Sequence, residues 1–119
     1  MWRWDQSAGE LSRDGRFVAR GYSGAGIGKN NPDLENKVAT GPIPRGRWRI
    51  GAPRKSLNVG PFAMPLEPVG HAACGRSAFM VHGDSARQPG RASQGCIILP
   101  RNVREMIWAS GDHDLEVVE

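Results

Sequence analysis

A chain of 119 residues with a formal net charge of +4, sixteen glycines and nine prolines suits one domain, residues 1–119, built around one modest core. No apolar run approaches the roughly 18 residues a membrane span needs, and Met1-Trp2-Arg3-Trp4-Asp5 has neither the apolar stretch nor the cleavage site of a signal peptide. The arginines are scattered rather than interleaved with aromatics, which speaks against nucleic acid; three histidines and no Cys-x-x-Cys pair speak against structural zinc, and no cofactor is expected.

In chain order, Trp2 and Trp4 flank Arg3 with the period of a half-buried strand. Asp14-Gly15 is a tight-turn pair between Leu11 and Phe17, and Phe17 to Tyr22 reads as a further strand. The opening is therefore an antiparallel meander. Ser23 to Asn36 is a long polar loop. Its Gly26-x-Gly28-Lys29 run is followed by Asn30 rather than Ser or Thr, and Pro32 interrupts any helix, so it is not a phosphate cradle. A loop of this length suits a functional rim.

Thr40 to Gly46 is rigid turn chemistry, and Arg47 to Ile50 alternates as a strand. Pro53 to Ser56 reads as another turn. Leu57 to Leu66, broken by Gly60, Pro61 and Pro65, reads as at best an edge strand. Val69 to Ser77 reads as loop, Ala78 to Val81 as a short central strand, and Ile97 to Leu99 as strand or strand end. Pro100 to Ala109 is the one convincing helix, with Val103, Met106 and Ile107 facing the core and Ser110-Gly111 ending it. Leu115 to Val118 offers a last strand. The class is mainly β, a β-rich α+β chain with one short helix.

Chemistry concentrates between Phe79 and Leu99. His82-Gly83 closes one apolar run, and Ser93-Gln94-Gly95-Cys96 opens the next. A thiol needs a base in reach, a group that orients the base, and donors for an oxyanion. Cys96 supplies the thiol and His82 the base. The Gly83 carbonyl can accept the His82 Nδ1–H and fix its tautomer. Gly95 lets the backbone turn so that the Gly95 and Cys96 amides face one spot, and Ser93 shapes that turn. Taken singly, a cysteine in an apolar run is core and a histidine beside a strand is structural; the pairing, with glycines beside both, carries the functional reading. His71 and His113 lie in polar loop or terminus, and Cys74 reads as structural or free.

His82-Gly83 followed by Ser93-x-Gly95-Cys96-Ile97 resembles the signature of the L,D-transpeptidase (YkuD-like) superfamily. Tyr22-Ser23-Gly24, Lys29-Asn30-Asn31-Pro32, Gly41 to Gly46 and Gly95 to Arg101 make the chain, from about Gly9 to Val118, similar to the type VI secretion L,D-transpeptidase effector family. The resemblance implies a small sandwich or barrel and a substrate in the peptidoglycan stem tetrapeptide. Cys96 would attack the carbonyl of meso-diaminopimelate and release D-alanine. Water would then give L,D-carboxypeptidase activity, and a free D-amino acid would give exchange.

It further implies an antibacterial toxin made in the cytoplasm without a signal peptide, carried by a secretion apparatus into a rival's periplasm, with a cognate immunity protein guarding the producer. Housekeeping relatives carry His at Gln94 and Arg or Asn at Ile98. Tyr22, Asp84, Arg91 and Arg101 are the candidates for substrate contact, and Arg76 and Arg87 lie near the same stretch; Arg can hold a carboxylate bidentately. A housekeeping or phage-associated cross-linking L,D-transpeptidase and a non-catalytic wall-binding module stand as alternatives.

Overall fold

Two buried tryptophans start the architecture. The computed structural model describes residues 1–119. Trp2 and Trp4 point inward from β1 (Trp2–Asp5) while Arg3 between them is exposed, the alternation that one buried sheet face imposes. β2 (Glu10–Arg13) and β3 (Arg16–Arg20) continue antiparallel from β1. The turn between them places Asp14 and Gly15 at φ 49° and 83°, the left-handed pair that matches the twist of a hairpin. On the other side of β1 lies the last strand, β10 (Asp114–Val118), parallel to it and antiparallel to β5 (Gly46–Ile50).

The sheet continues through β7 (Gly60–Val69), β8 (Met80–His82), β9 (Ile97–Ile98) and β4 (Tyr22–Ser23), with the short β6 (Arg54–Ser56) paired to β7. The order is β3-β2-β1-β10-β5-β7-β8-β9-β4, and the pairings β1–β10 and β8–β9 are parallel. One cluster of 17 buried residues fills the interior, from Trp2, Trp4 and Trp48 to Met64, Phe79, Val81 and Ile97. The single helix, α1 (Arg101–Ala109), packs on β7 and β8. The fold is mainly β, as the sequence indicates, and no helix is long and apolar enough to cross a membrane.

Three readings of the sequence are corrected. Arg54–Ser56 is a strand, not a turn, because it pairs with β7. β7 is ten residues long and lies inside the sheet despite Pro61, Pro65 and Pro68. The imide nitrogens are tolerated because neighbouring groups carry the ladder: the Pro65 carbonyl accepts from Gly51 N at 2.8 Å, and the next amide, Leu66 N–H, donates to Phe79 O at 2.9 Å. On α1, Val103 and Ile107 are buried but Met106 is 49 % exposed. The side chain that joins Val103 and Ile107 on the inner face is Arg104, held there by backbone carbonyls described below.

β10 alternates Leu115 and Val117 inward, at 2 % exposure each, with Glu116 and Val118 half-buried. Leu115→Ala is expected to cost about 2–5 kcal/mol through lost burial and the cavity left. Val118→Ala on the same strand is expected to cost about 1 kcal/mol or less. Urea unfolding of the two variants checks the register.

Candidate active site

The site is built on the shortest parallel pairing in the sheet. Val81 lies opposite Ile97 and His82 opposite Ile98. Cys96, one residue before Ile97, therefore falls beside Met80, two residues before His82. Side chains two apart share a face, so His82 and Cys96 project from the same side of the β8–β9 pair. Their diagonal spacing follows from strand geometry, roughly 8 Å between backbones. Both line one cleft of about 650 Å³, with Phe79, Arg76, Arg91 and Gly95 among its walls.

His82 is 2 % exposed. Its Nδ1 lies 2.9 Å from the Gly83 carbonyl. A carbonyl only accepts, so Nδ1 carries the proton and Nε2 presents a lone pair. Burial pushes the imidazole pKa below its ordinary value of 6.5; the Gly83 bond opposes this, and the Arg104 charge adds to it. His82 is thus a neutral imidazole at neutral pH.

Cys96 is half-buried and free. Burial pushes its thiol pKa up, against a lowering by the Met80 amide and by the Arg76 charge. Sγ contacts the Ala78 carbonyl at 3.8 Å, so the thiol proton points there. Both shifts favour the neutral forms, thiol and imidazole.

The turn before Cys96 is fixed by two buried serines. Ser93 Oγ accepts from Gly24 N at 2.9 Å and from Gly95 N at 3.0 Å, and donates to Cys96 O at 2.6 Å. Ser23 Oγ donates to Gly95 O at 2.9 Å and accepts from Ile43 N at 2.8 Å. The first network is the turn-shaping arrangement anticipated for Ser93. It also corrects the reading of Gly95 as an oxyanion donor: that amide is turned inward onto Ser93. The amide of Cys96 itself makes no bond within the chain.

The four candidate substrate contacts separate. Arg91 is exposed on the cleft with Cys96. Tyr22, Asp84 and Arg101 instead line a second cavity of about 410 Å³. Tyr22 Oη donates to Asp84 Oδ1 at 2.6 Å and accepts from Ala92 N at 2.9 Å, while Asp84 also accepts from Ser85 N and Gly90 N. These bonds pin the 84–92 loop. Burial, then the Asp84 bond, raises the Tyr22 pKa to about 12, so the phenol stays protonated as a donor. Asp84 is held below its ordinary value by its hydrogen bonds, which outweigh desolvation. Arg101 lies over the Phe62 ring, with Glu105 at 3.5 Å. Ile98 is 3 % exposed, paired between Tyr22 and His82, so its side chain is core.

Two residues take roles that the sequence did not assign them. Arg104 is 6 % exposed; its Nε donates to Leu99 O at 3.0 Å and its Nη1 to Pro61 O and Phe62 O, tying α1 to β7 beside His82. Arg76 donates to four backbone carbonyls, of Glu35, Pro42, Gly41 and Gln94. No sequence pattern marks an arginine that binds carbonyls, because its partners are backbone. His71, against Trp48 and Arg47 O, and His113, stacked on Trp108, take no part in the cleft. Cys74 is exposed and free.

A family model, the Tlde1 domain, matches residues 18–118 of the chain. A search of curated proteins finds no match.

Ser93→Ala leaves the Gly24 and Gly95 amides buried without an acceptor. It is expected to cost about 2–6 kcal/mol, since one buried unsatisfied donor costs about 1–3. Chemical denaturation measures this cost, and hydrogen exchange at Gly24 and Gly95 rises in the variant if the assignment holds.

Proposed function

We propose that this chain, which belongs to the Tlde1 domain family of type VI secretion L,D-transpeptidase effectors, cleaves peptidoglycan tetrapeptide stems through a Cys96 thioester. The observation that carries the reading is the shared face of Cys96 and His82 on one cleft, with the imidazole tautomer fixed by Gly83 O. A wall-binding module has no need of a buried unprotonated imidazole nitrogen beside a thiol.

The chemistry follows from the resting state. His82 Nε2 takes the thiol proton as Sγ attacks the carbonyl carbon of meso-diaminopimelate at position three. The oxyanion forms beside the Cys96 amide, the donor left available when Gly95 N–H is engaged by Ser93. Collapse breaks the peptide bond, and the imidazolium returns the proton to the leaving D-alanine amine. His82 then draws a proton from water, which attacks the thioester to give the tripeptide and restore the thiol; a D-amino acid amine in its place gives exchange. Arg91, exposed on the cleft, is our candidate to meet a substrate carboxylate.

Removal of D-alanine destroys the tetrapeptide donors on which such cross-links depend. That outcome suits a toxin delivered by the secretion apparatus into a target cell's periplasm and held in check in the producer by an immunity protein.

Incubation with disaccharide tetrapeptide, with and without an added D-amino acid, followed by mass spectrometry, is the test. Loss of D-alanine or its exchange is expected. Dimer formation would instead indicate a cross-linking enzyme. Cys96→Ala is expected to abolish turnover, and His82→Ala to lower it by about 10³-fold or more, because the two act as a unit. Turnover by Cys96→Ala at the wild-type rate would overturn the nucleophile assignment.

The pH profile is a further check. The active form needs neutral His82, whose folded pKa lies below 6.5. The acid limb of kcat/KM should therefore have its midpoint below 6.5. An acid limb centred above 6.5 contradicts a buried, neutral base.

A further inference from the structure

We propose that Arg76 is a positioning residue for Cys96, a single guanidinium that fixes the thiol-bearing turn against the cleft wall and supplies the positive charge facing the thiol. The inference rests on Cys96 being the nucleophile.

The hydrogen bonds define the grip. Arg76 Nη1 donates to Glu35 O at 2.6 Å and Pro42 O at 2.9 Å; Nη2 donates to Gly41 O and Gln94 O, each at 3.0 Å. All four terminal N–H groups are engaged, on two segments far apart in sequence. Residues 35–42 include Val38 and Ala39, which wall the cleft, and Gln94 lies two residues before Cys96. The Phe79 ring sits beneath the guanidinium at 5.0 Å. Gly95 is fitted to the same group: a Cβ there would lie 2.5 Å from Arg76 Nη2, so the residue before Cys96 has no side chain because the arginine occupies that space.

The charge is left without a carboxylate partner. Arg76 makes no ion pair, and the nearby Glu35 carboxylate is engaged by Arg45 at 2.8 Å. Carbonyls satisfy the donors without neutralising the cation. The charge therefore acts on what lies across the cleft, and it opposes the burial that raises the Cys96 pKa. The planar fork is needed for this. A lysine keeps the charge but has three donors at one point, and cannot bridge four carbonyls on two segments. The same bonds remove Arg76 from the set of substrate-carboxylate binders.

The test uses the full chain in a Cys74→Ser background, so that Cys96 is the one thiol. Iodoacetamide alkylation is followed across pH by intact mass, beside tetrapeptide turnover, for wild type, Arg76→Met and Arg76→Lys; circular dichroism confirms folding. Arg76→Met is expected to raise the alkylation midpoint by roughly half a unit or more. Arg76→Lys is expected to hold the midpoint nearer wild type but lose turnover about tenfold, because charge survives and geometry does not.

A folded Arg76→Met with an unmoved midpoint overturns the proposal, as does Arg76→Lys with wild-type turnover. Where Arg76→Met fails to fold, Arg76→Lys decides: wild-type turnover overturns the proposal, and a loss of turnover in the folded variant upholds it. A wild-type protein without tetrapeptide turnover, whose alkylation midpoint still rises in Arg76→Met, upholds the role of Arg76 and overturns the substrate reading alone.

Discussion

The site depends on the parallel pairing of β8 and β9. A parallel pair cannot be closed by a tight hairpin, so the chain must leave His82, travel out, and return at Cys96 running in the same direction. That return puts the thiol and the imidazole on one face. It also creates a difficulty. β9 is two residues long and its pairing with β8 covers two positions, too few ladder bonds to fix a register. A slip by one residue would send Cys96 to the opposite face and dissolve the constellation.

The polar chemistry around the site acts against that slip. Ser93 and Ser23 bind both backbone groups of Gly95 and tie them to Gly24 and Ile43. The Tyr22–Asp84 bond gathers the outgoing loop at both ends through Gly90 and Ala92. Arg76 and Arg104 grip carbonyls on either side, one at the thiol turn and one behind the imidazole. Desolvation lowers the pKa of both arginines, yet the guanidinium remains charged because its unperturbed pKa is so high. A lysine in either place would be easier to neutralise by burial. Arg76 and Arg104 thus hold backbone instead of meeting substrate, and the chain's positive balance is a poor guide to its partner.

How much was legible in the sequence follows from which forces leave a pattern. The Asp14-Gly15 turn, the Trp2/Trp4 alternation and the helix start at Pro100 were readable because local sterics and burial act at fixed spacings. The return from His82 to Cys96 was readable because glycines flank both residues and mark its ends. β7 was misjudged because its prolines satisfy an edge-strand rule that counts imide nitrogens, while its neighbours change along its length and carry the bonds. Met106 and Arg104 were exchanged because a helical stripe scores hydrophobicity, and an arginine enters the core only when distant carbonyls receive it. Gly95 was read for its amide when its missing side chain is the feature Arg76 requires.

The resting charge state connects this packing to the proposed chemistry. Burial acts in opposite senses on the two groups, lowering the imidazole pKa and raising the thiol pKa, so both favour the neutral pair. A preformed thiolate would be reactive toward any electrophile or oxidant it met. A neutral thiol beside a neutral base acts when the proton can move as the new bond forms, which requires a carbonyl seated in the cleft. In the proposed reaction the cost of creating the ion pair falls within the chemical step, where the Arg76 charge and the Cys96 amide would face the developing negative charge. On the proposed reading, the burial at the β8–β9 pair therefore also governs the reactivity of the thiol, and substrate occupancy is the condition under which that reactivity would be expressed.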